Sequence, residues 1–266
     1  MKRLLVTALG ALLVTAPLVA QDIKVDLSRE TIGKQPTAFE PQMGTWIVAQ
    51  DGPDKVIRVD GDTWKAALDT PTRLLLDTAR KMYGTTNEEL LDNAKQFTNF
   101  PVAVMKNSPT FSNGTISVQF KTVSGNADRA SGILFNLKPN GDWLCIRYND
   151  TEHNVVLWEF HNGVRRSVMR APDNTLLSAS GDREKWHTLG LTVQGAEITA
   201  SIDGRAVLAY TLGSAPLPTR TGAPANPDLF PANNAVIRPP VSGRVGLWSK
   251  TDSTVLFKNY VISPAK

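Results

Sequence analysis

Three dipeptides constrain the fold of this chain more than any other feature. Asn140-Gly141, Asn162-Gly163 and Asp203-Gly204 each stand between two short runs rich in β-branched, aliphatic and aromatic residues. Residues that tolerate positive φ, set between such runs, make the tight turns of antiparallel hairpins. The runs flanking them are 131–137 with 143–149, 154–161 with 165–170, and 197–202 with 205–210. Similar runs at 45–49, 55–59, 101–105, 114–123, 186–193, 243–249 and 254–262 complete the pattern. About a dozen strands at this spacing predict an all-β, two-sheet antiparallel sandwich rather than a parallel α/β fold.

Two segments break the alternation. Residues 70–96 read as a small helical insertion. Thr70-Pro71 is an N-cap followed by proline at the first helical position, and Leu74, Leu75, Ala79 and Met82 form an apolar stripe that Gly84 can end. Thr86 with Glu89 then forms a capping box for a second short helix. Residues 213–242 carry seven prolines, Pro216, Pro218, Pro224, Pro227, Pro231, Pro239 and Pro240. Each proline removes a backbone donor, so this segment forms neither a regular helix nor a central strand. Its apolar residues Leu229, Phe230, Val236 and Ile237 predict an ordered flap.

The first twenty residues are of a different kind. Lys2 and Arg3 precede an apolar run from Leu4 to Val14, and Leu18-Val19-Ala20 closes the segment before polar Gln21-Asp22. This is the layout of a secretory signal peptide, with an apolar stretch shorter than the ~20 residues of a membrane span. The expectation is cleavage after residue 20, one domain over 21–266, and a periplasmic or secreted protein without membrane insertion. Cleavage takes two positive charges from a formal net charge of +4. The remaining Lys and Arg are interspersed with Asp and Glu, without the basic stripe that would neutralise a row of phosphates, so no nucleic-acid partner is expected. The single cysteine, Cys145, excludes an internal disulfide and reads as a small buried hydrophobe.

Catalytic signatures are scarce. The chain has no Gly-x-Ser-x-Gly elbow, phosphate loop, dinucleotide fingerprint or paired-cysteine zinc site, and His153, His161 and His187 have no metal-ligand spacing. A Glu-x-Asp-x-x-Glu strand is absent too. Asp150 and Glu152 have the parity of an acid pair but fall at a turn and read as solvated. Alternation instead gathers polar and aromatic residues. Cys145, Arg147 and Asn149 share one strand face, as do Asn154, Val156, Trp158 and Phe160 on the next strand and Trp248 with Lys250 later. Trp186 reads as core.

The closing segment from Gly243 (Gly-Arg-Val-Gly-Leu-Trp-Ser-Lys-Thr-Asp-Ser-Thr-Val-Leu-Phe-Lys-Asn-Tyr) resembles the last hairpin of concanavalin A-like, laminin G-like jelly-roll proteins, among them 3-keto-disaccharide hydrolase domains. The blocks Gly44-Thr-Trp-Ile-Val, Gly114-Thr-Ile-Ser-Val-Gln-Phe, Ala130-Ser-Gly-Ile-Leu-Phe, Asn154-Val-Val-Leu-Trp-Glu and Lys185-Trp-His-Thr-Leu extend the resemblance from Phe39 to Val261. Where hydrolase-like members carry Asn-Ser-Gly-Ile-Phe-Phe-Arg, this chain has Ala130 and Asn136 in place of the first Asn and final Arg. The resemblance implies a carbohydrate-binding jelly roll without catalysis of its own. Its ligand groove would be lined by Arg147, Asn149, Asn154, Trp158, Trp248 and Lys250. The alternative it implies is a glycoside hydrolase or lyase acting on a 3-keto-disaccharide or related sugar. Related folds hold calcium, but no Asp-rich loop here specifies it, and no other cofactor is expected.

Overall fold

The computed structural model describes residues 21–61, 100–161, 164–171, 184–214 and 237–265. The signal segment (1–20), the helical insertion (70–96) and the greater part of the proline-rich segment (215–236) lie outside the described residues.

Within the described residues the chain forms fifteen strands: β1 (Ile23–Lys24), β2 (Phe39–Met43), β3 (Trp46–Asp51), β4 (Asp54–Val59), β5 (Val102–Met105), β6 (Gly114–Ser124), β7 (Ala130–Leu137), β8 (Trp143–Asn149), β9 (Asn154–His161), β10 (Val164–Arg170), β11 (His187–Gln194), β12 (Glu197–Ile202), β13 (Arg205–Thr211), β14 (Arg244–Ser249) and β15 (Thr254–Pro264). They build an eight-stranded sheet in the order β13-β12-β11-β6-β15-β4-β3, with β1 added on β15, and a seven-stranded sheet in the order β10-β9-β8-β7-β14-β5-β2. The chain passes repeatedly from one sheet to the other. This is the all-β, two-sheet jelly-roll sandwich expected from the turn pattern.

Two strands escaped the sequence pattern. β2 reads Phe-Glu-Pro-Gln-Met, and its Pro41 would break a ladder inside a sheet. It stands here because β2 is an edge strand paired only with β5. β1 is two residues long and held by the registers Ile23 with Ile262 and Lys24 with Val261.

Between the sheets lies the main core. Ile116, Val118 and Phe120 of β6 and Leu189, Leu191 and Val193 of β11 point inward from one side; Ile133, Phe135, Ile146 and Leu157 meet them from the other. Phe39 packs edge-on against Tyr260, with ring centroids 5.3 Å apart. The Tyr260 hydroxyl is buried without a partner among the described residues, and that burial raises its pKa far above the usual phenol value. Ile237, expected as an apolar anchor of the proline-rich segment, is buried in this core. Its backbone N–H donates to Glu159 Oε2 at 3.0 Å.

The outward faces of the two sheets differ. On β6 and β11 buried residues alternate with more exposed ones. On β7 and β8 every residue is buried. The outer side of the seven-stranded sheet therefore carries a second apolar cluster of Phe100, Leu134, Trp143, Cys145, Trp158, Phe160 and Trp248. Gly132 permits this packing, because a Cβ there would stand 2.8 Å from Cys145 Sγ and 3.1 Å from Trp248 Cε3.

Candidate functional site

Alternation along β8 and β9 sends Arg147, Asn149, Asn154 and Trp158 to the outer face of the seven-stranded sheet. The register pairs Asn149 with Asn154 and Cys145 with Trp158. Trp248 of β14 lies opposite Gly132 of β7, which in turn faces Arg147. Lys250 follows β14 at the same end. The fold thus brings together all six residues expected to line a groove, and it gives them different surroundings.

The β8–β9 connection organises the polar end. Glu152 Oε2 accepts from both Arg147 Nη1 and Nη2 at 3.1 Å and from Asn154 Nδ2 at 3.0 Å. The Arg147 side chain is only 3% exposed, whereas that of Glu152 is 39% exposed. A buried guanidinium is thus neutralised by a carboxylate that still faces water. Burial pulls the Glu152 pKa upward, but the Arg147 charge and the hydrogen bonds from Asn154 and Arg147 outweigh it and hold the group below the ordinary carboxylate range. Burial also draws the Arg147 pKa below its usual value, against Glu152, and the guanidinium stays charged at neutral pH. Of the six residues, four side-chain atoms have no hydrogen-bond partner among the described residues: the donors Arg147 Nε, Trp158 Nε1 and Trp248 Nε1, and, at the polar end beside Arg147, the acceptor Asn154 Oδ1.

Asn149 belongs to the framework. Its Oδ1 accepts from the Arg129 and Thr151 backbone N–H groups and from Thr151 Oγ1, while its Nδ2 donates to Asp128 Oδ1 at 2.9 Å. Lys250 Nζ reaches the same Asp128 oxygen at 3.0 Å. Asp150, expected to be solvated at its turn, is instead buried: Arg129 Nε donates to it at 2.6 Å and the Tyr148 hydroxyl at 3.3 Å. Beneath this layer Asp252 accepts the backbone N–H groups of Asn126, Ala127 and Asp128 at 2.8–3.1 Å. Burial raises the Asp252 pKa, but the three donors together outweigh it and leave the group below the ordinary value. Gly125 serves the same loop: its φ is +147°, and a Cβ would fall 1.9 Å from the Asp128 carbonyl oxygen.

The aromatic residues are closed off. Phe100 stacks on Trp248 with centroids 5.6 Å apart, and Phe160 stacks on Trp143 at 5.0 Å. Arg165 lies 4.2 Å above the Trp158 ring and 4.8 Å above Phe100, and Arg147 is 5.6 Å from the Trp158 ring. An open indole platform is therefore not what this face offers; its accessible part is the polar end at Glu152 and Lys250. Cys145 is a buried thiol whose pKa burial pushes well up, against the charges of Arg147 and Arg165. Such a thiol is neutral and no nucleophile.

Trp186, read as core, is half-buried on the other sheet. Its indole N–H donates to Asp51 Oδ2 at 3.0 Å, and Lys258 Nζ lies 4.2 Å from the ring. His161 and His187 each bond one aspartate, Asp142 and Asp203. Among the described residues no three His, Cys, Asp or Glu side chains gather as a metal site requires. Among them, too, no helix is long and apolar enough to cross a membrane.

Two solved structures have the same architecture. The chain is similar to the carbohydrate-binding module CBM66 from Bacillus subtilis, with a TM-score of 0.51, 15% identity, and coverage of 85% of this chain and 96% of that one. It is also similar to the apo Crh5 transglycosylase, with a TM-score of 0.52, 16% identity, and coverage of 94% of this chain and 86% of that one. The likeness is one of fold, a two-sheet antiparallel jelly-roll sandwich. No family model and no curated protein sequence matches the chain.

Sequence reasoning missed the role of Glu152. Its parity with Asp150 was legible, but a turn residue has no fixed face. Only the folded hairpin turns it back onto Arg147.

Proposed function

We propose that this chain is an exported carbohydrate-binding protein without catalysis of its own. Its sugar is held at the polar end of the seven-stranded sheet by Arg147, Glu152, Asn154 and Lys250. The observation that carries the reading is the pair of unpartnered atoms, Arg147 Nε and Asn154 Oδ1, beside the water-facing Glu152 carboxylate. Nε can donate one further hydrogen bond and Oδ1 can accept one, the two halves of what sugar hydroxyls offer, and leaving such atoms buried and unpaired costs about 1–3 kcal/mol each. Among common ligands, sugars present hydroxyls at this density. The likeness in fold to a carbohydrate-binding module supports the class of ligand, and Lys2, Arg3 and the apolar run behind them support export.

Catalysis is disfavoured by the electrostatics. A glycosidase needs one carboxyl group kept protonated as general acid. Arg147 holds Glu152 ionised instead, and Asp150 is enclosed by Arg129 and Tyr148.

The test is a glycan array on the mature protein, followed by calorimetric titration of the best ligand. Glu152→Gln and Asn154→Ala should each weaken binding by about 1–3 kcal/mol. Retention of full affinity by both variants would remove the site from this end of the sheet. Turnover of the ligand that Glu152→Gln abolishes would instead establish the hydrolase reading.

A further inference from the structure

Gln21 is exposed and lines a cavity of about 760 Å³ together with Ile23, Pro109, Phe111, Pro264 and Ala265. The cavity walls are fixed. β1 holds Ile23 against Ile262, and the Ala265 N–H donates to the Asn113 carbonyl at 3.1 Å. None of the twelve lining residues is an Asp, Glu, Lys, Arg or His. Asp22, the nearest carboxylate in sequence, is exposed and does not line the cavity.

If export removes residues 1–20, as proposed above, the new terminus is a glutamine whose free α-ammonium stands at the rim of an uncharged, partly apolar cavity. The amine and the side-chain amide it would attack then sit on one exposed residue, and no acidic side chain of the cavity lining holds the amine in an ion pair. We propose that Gln21 is a modification site, at which the mature N-terminus closes to pyroglutamate. The α-amino nitrogen attacks the side-chain Cδ of the same residue. The new N–Cδ bond closes a lactam, the Cδ–Nε2 bond breaks, and the amide nitrogen leaves as ammonia, carrying away a proton from the amine. No oxidant, reductant or second substrate enters. The Gln21 side chain makes no hydrogen bond to another described residue, so its amide is free to react. The lactam seats an uncharged ring beside Ile23 and Pro264 and shields β1, and through it the centre of the eight-stranded sheet, from aminopeptidases.

The inference rests on the export reading, and one experiment separates the two. The full 266-residue chain is expressed in an export-competent bacterium, and the exported protein is weighed intact and sequenced from its N-terminus. The expected result is a chain beginning at residue 21, lighter than the Gln21 form by one ammonia. It is blocked to sequencing, and after pyroglutamyl peptidase treatment it reads from Asp22. A Gln21→Ser chain, which cannot cyclise, should give a readable N-terminus under the same conditions. A chain beginning at Gln21 with a free amine overturns the modification and leaves export standing. A chain that retains Met1 overturns both.

Discussion

The outer faces of the two sheets follow opposite rules. On the eight-stranded sheet Thr115, Ser117, Gln119 and Lys121 of β6 alternate with core residues and face water, and Trp186 lies half-buried beside Lys258 and Asp51. On the seven-stranded sheet Trp143, Cys145, Arg147 and Asn149 hold the equivalent outward positions and are all buried. A sandwich needs only one buried face per sheet. A second one, apolar through its middle and bearing an Arg, two Asn and a Lys at one end, is the part of this molecule that stability of the sandwich does not require.

The strongest way to break this contrast is to make one substitution on both faces. Trp143→Ala removes a fully buried indole stacked on Phe160 and should cost about 3–5 kcal/mol in denaturant unfolding. Trp186→Ala removes a half-buried indole with one hydrogen bond and two neighbouring ammonium groups, those of Lys121 and Lys258, and should cost about 1–2 kcal/mol. Equal costs would mean that the two faces are energetically alike.

A second, smaller effect belongs to the polar end. Asp252→Asn weakens the acceptor for three backbone donors and should cost about 1–3 kcal/mol at neutral pH. The folded Asp252 pKa lies below its unfolded value, so its contribution is complete above the unfolded carboxylate pKa of about 3.9 and is lost as pH falls through the folded value. Melting temperature should therefore drop more steeply below about pH 4 in the parent chain than in the variant. Parallel curves would show that Asp252 contributes nothing through its charge.

The smallest effect is expected on the eight-stranded face. Lys121 bonds both oxygens of Asp51 at 2.6 Å, and neither side chain is fully enclosed. Lys121→Ala should cost no more than about 1 kcal/mol, and the loss should shrink in high salt.

Much of this contrast is legible in the sequence. Period-two alternation and the Asn-Gly and Asp-Gly turns locate the strands from β6 to β13, and parity alone puts Arg147, Asn149, Asn154 and Trp158 on one side. What alternation cannot reveal is what lies against that side. Phe100, distant in sequence, closes the stacking face of Trp248, and Arg165 covers Trp158. Nor does alternation govern residues between strands, so Asp150 and Glu152 looked equivalent until the turn sent one into the Arg129 pair and the other to Arg147. Trp186 precedes its strand, where parity has no hold, and its indole finds the outer face instead of the core.

The central claim, that sugar is recognised at the polar end of the seven-stranded sheet, is tested most directly by nuclear magnetic resonance of the mature protein titrated with its best glycan ligand. The Arg147 Nε–H and the Asn154 side-chain amide should shift on titration. The hydrogen-bonded Asn259 and Gln119 amides on the eight-stranded sheet should stay still. Shifts at Asn259 and Gln119 with Arg147 and Asn154 unmoved would contradict the account.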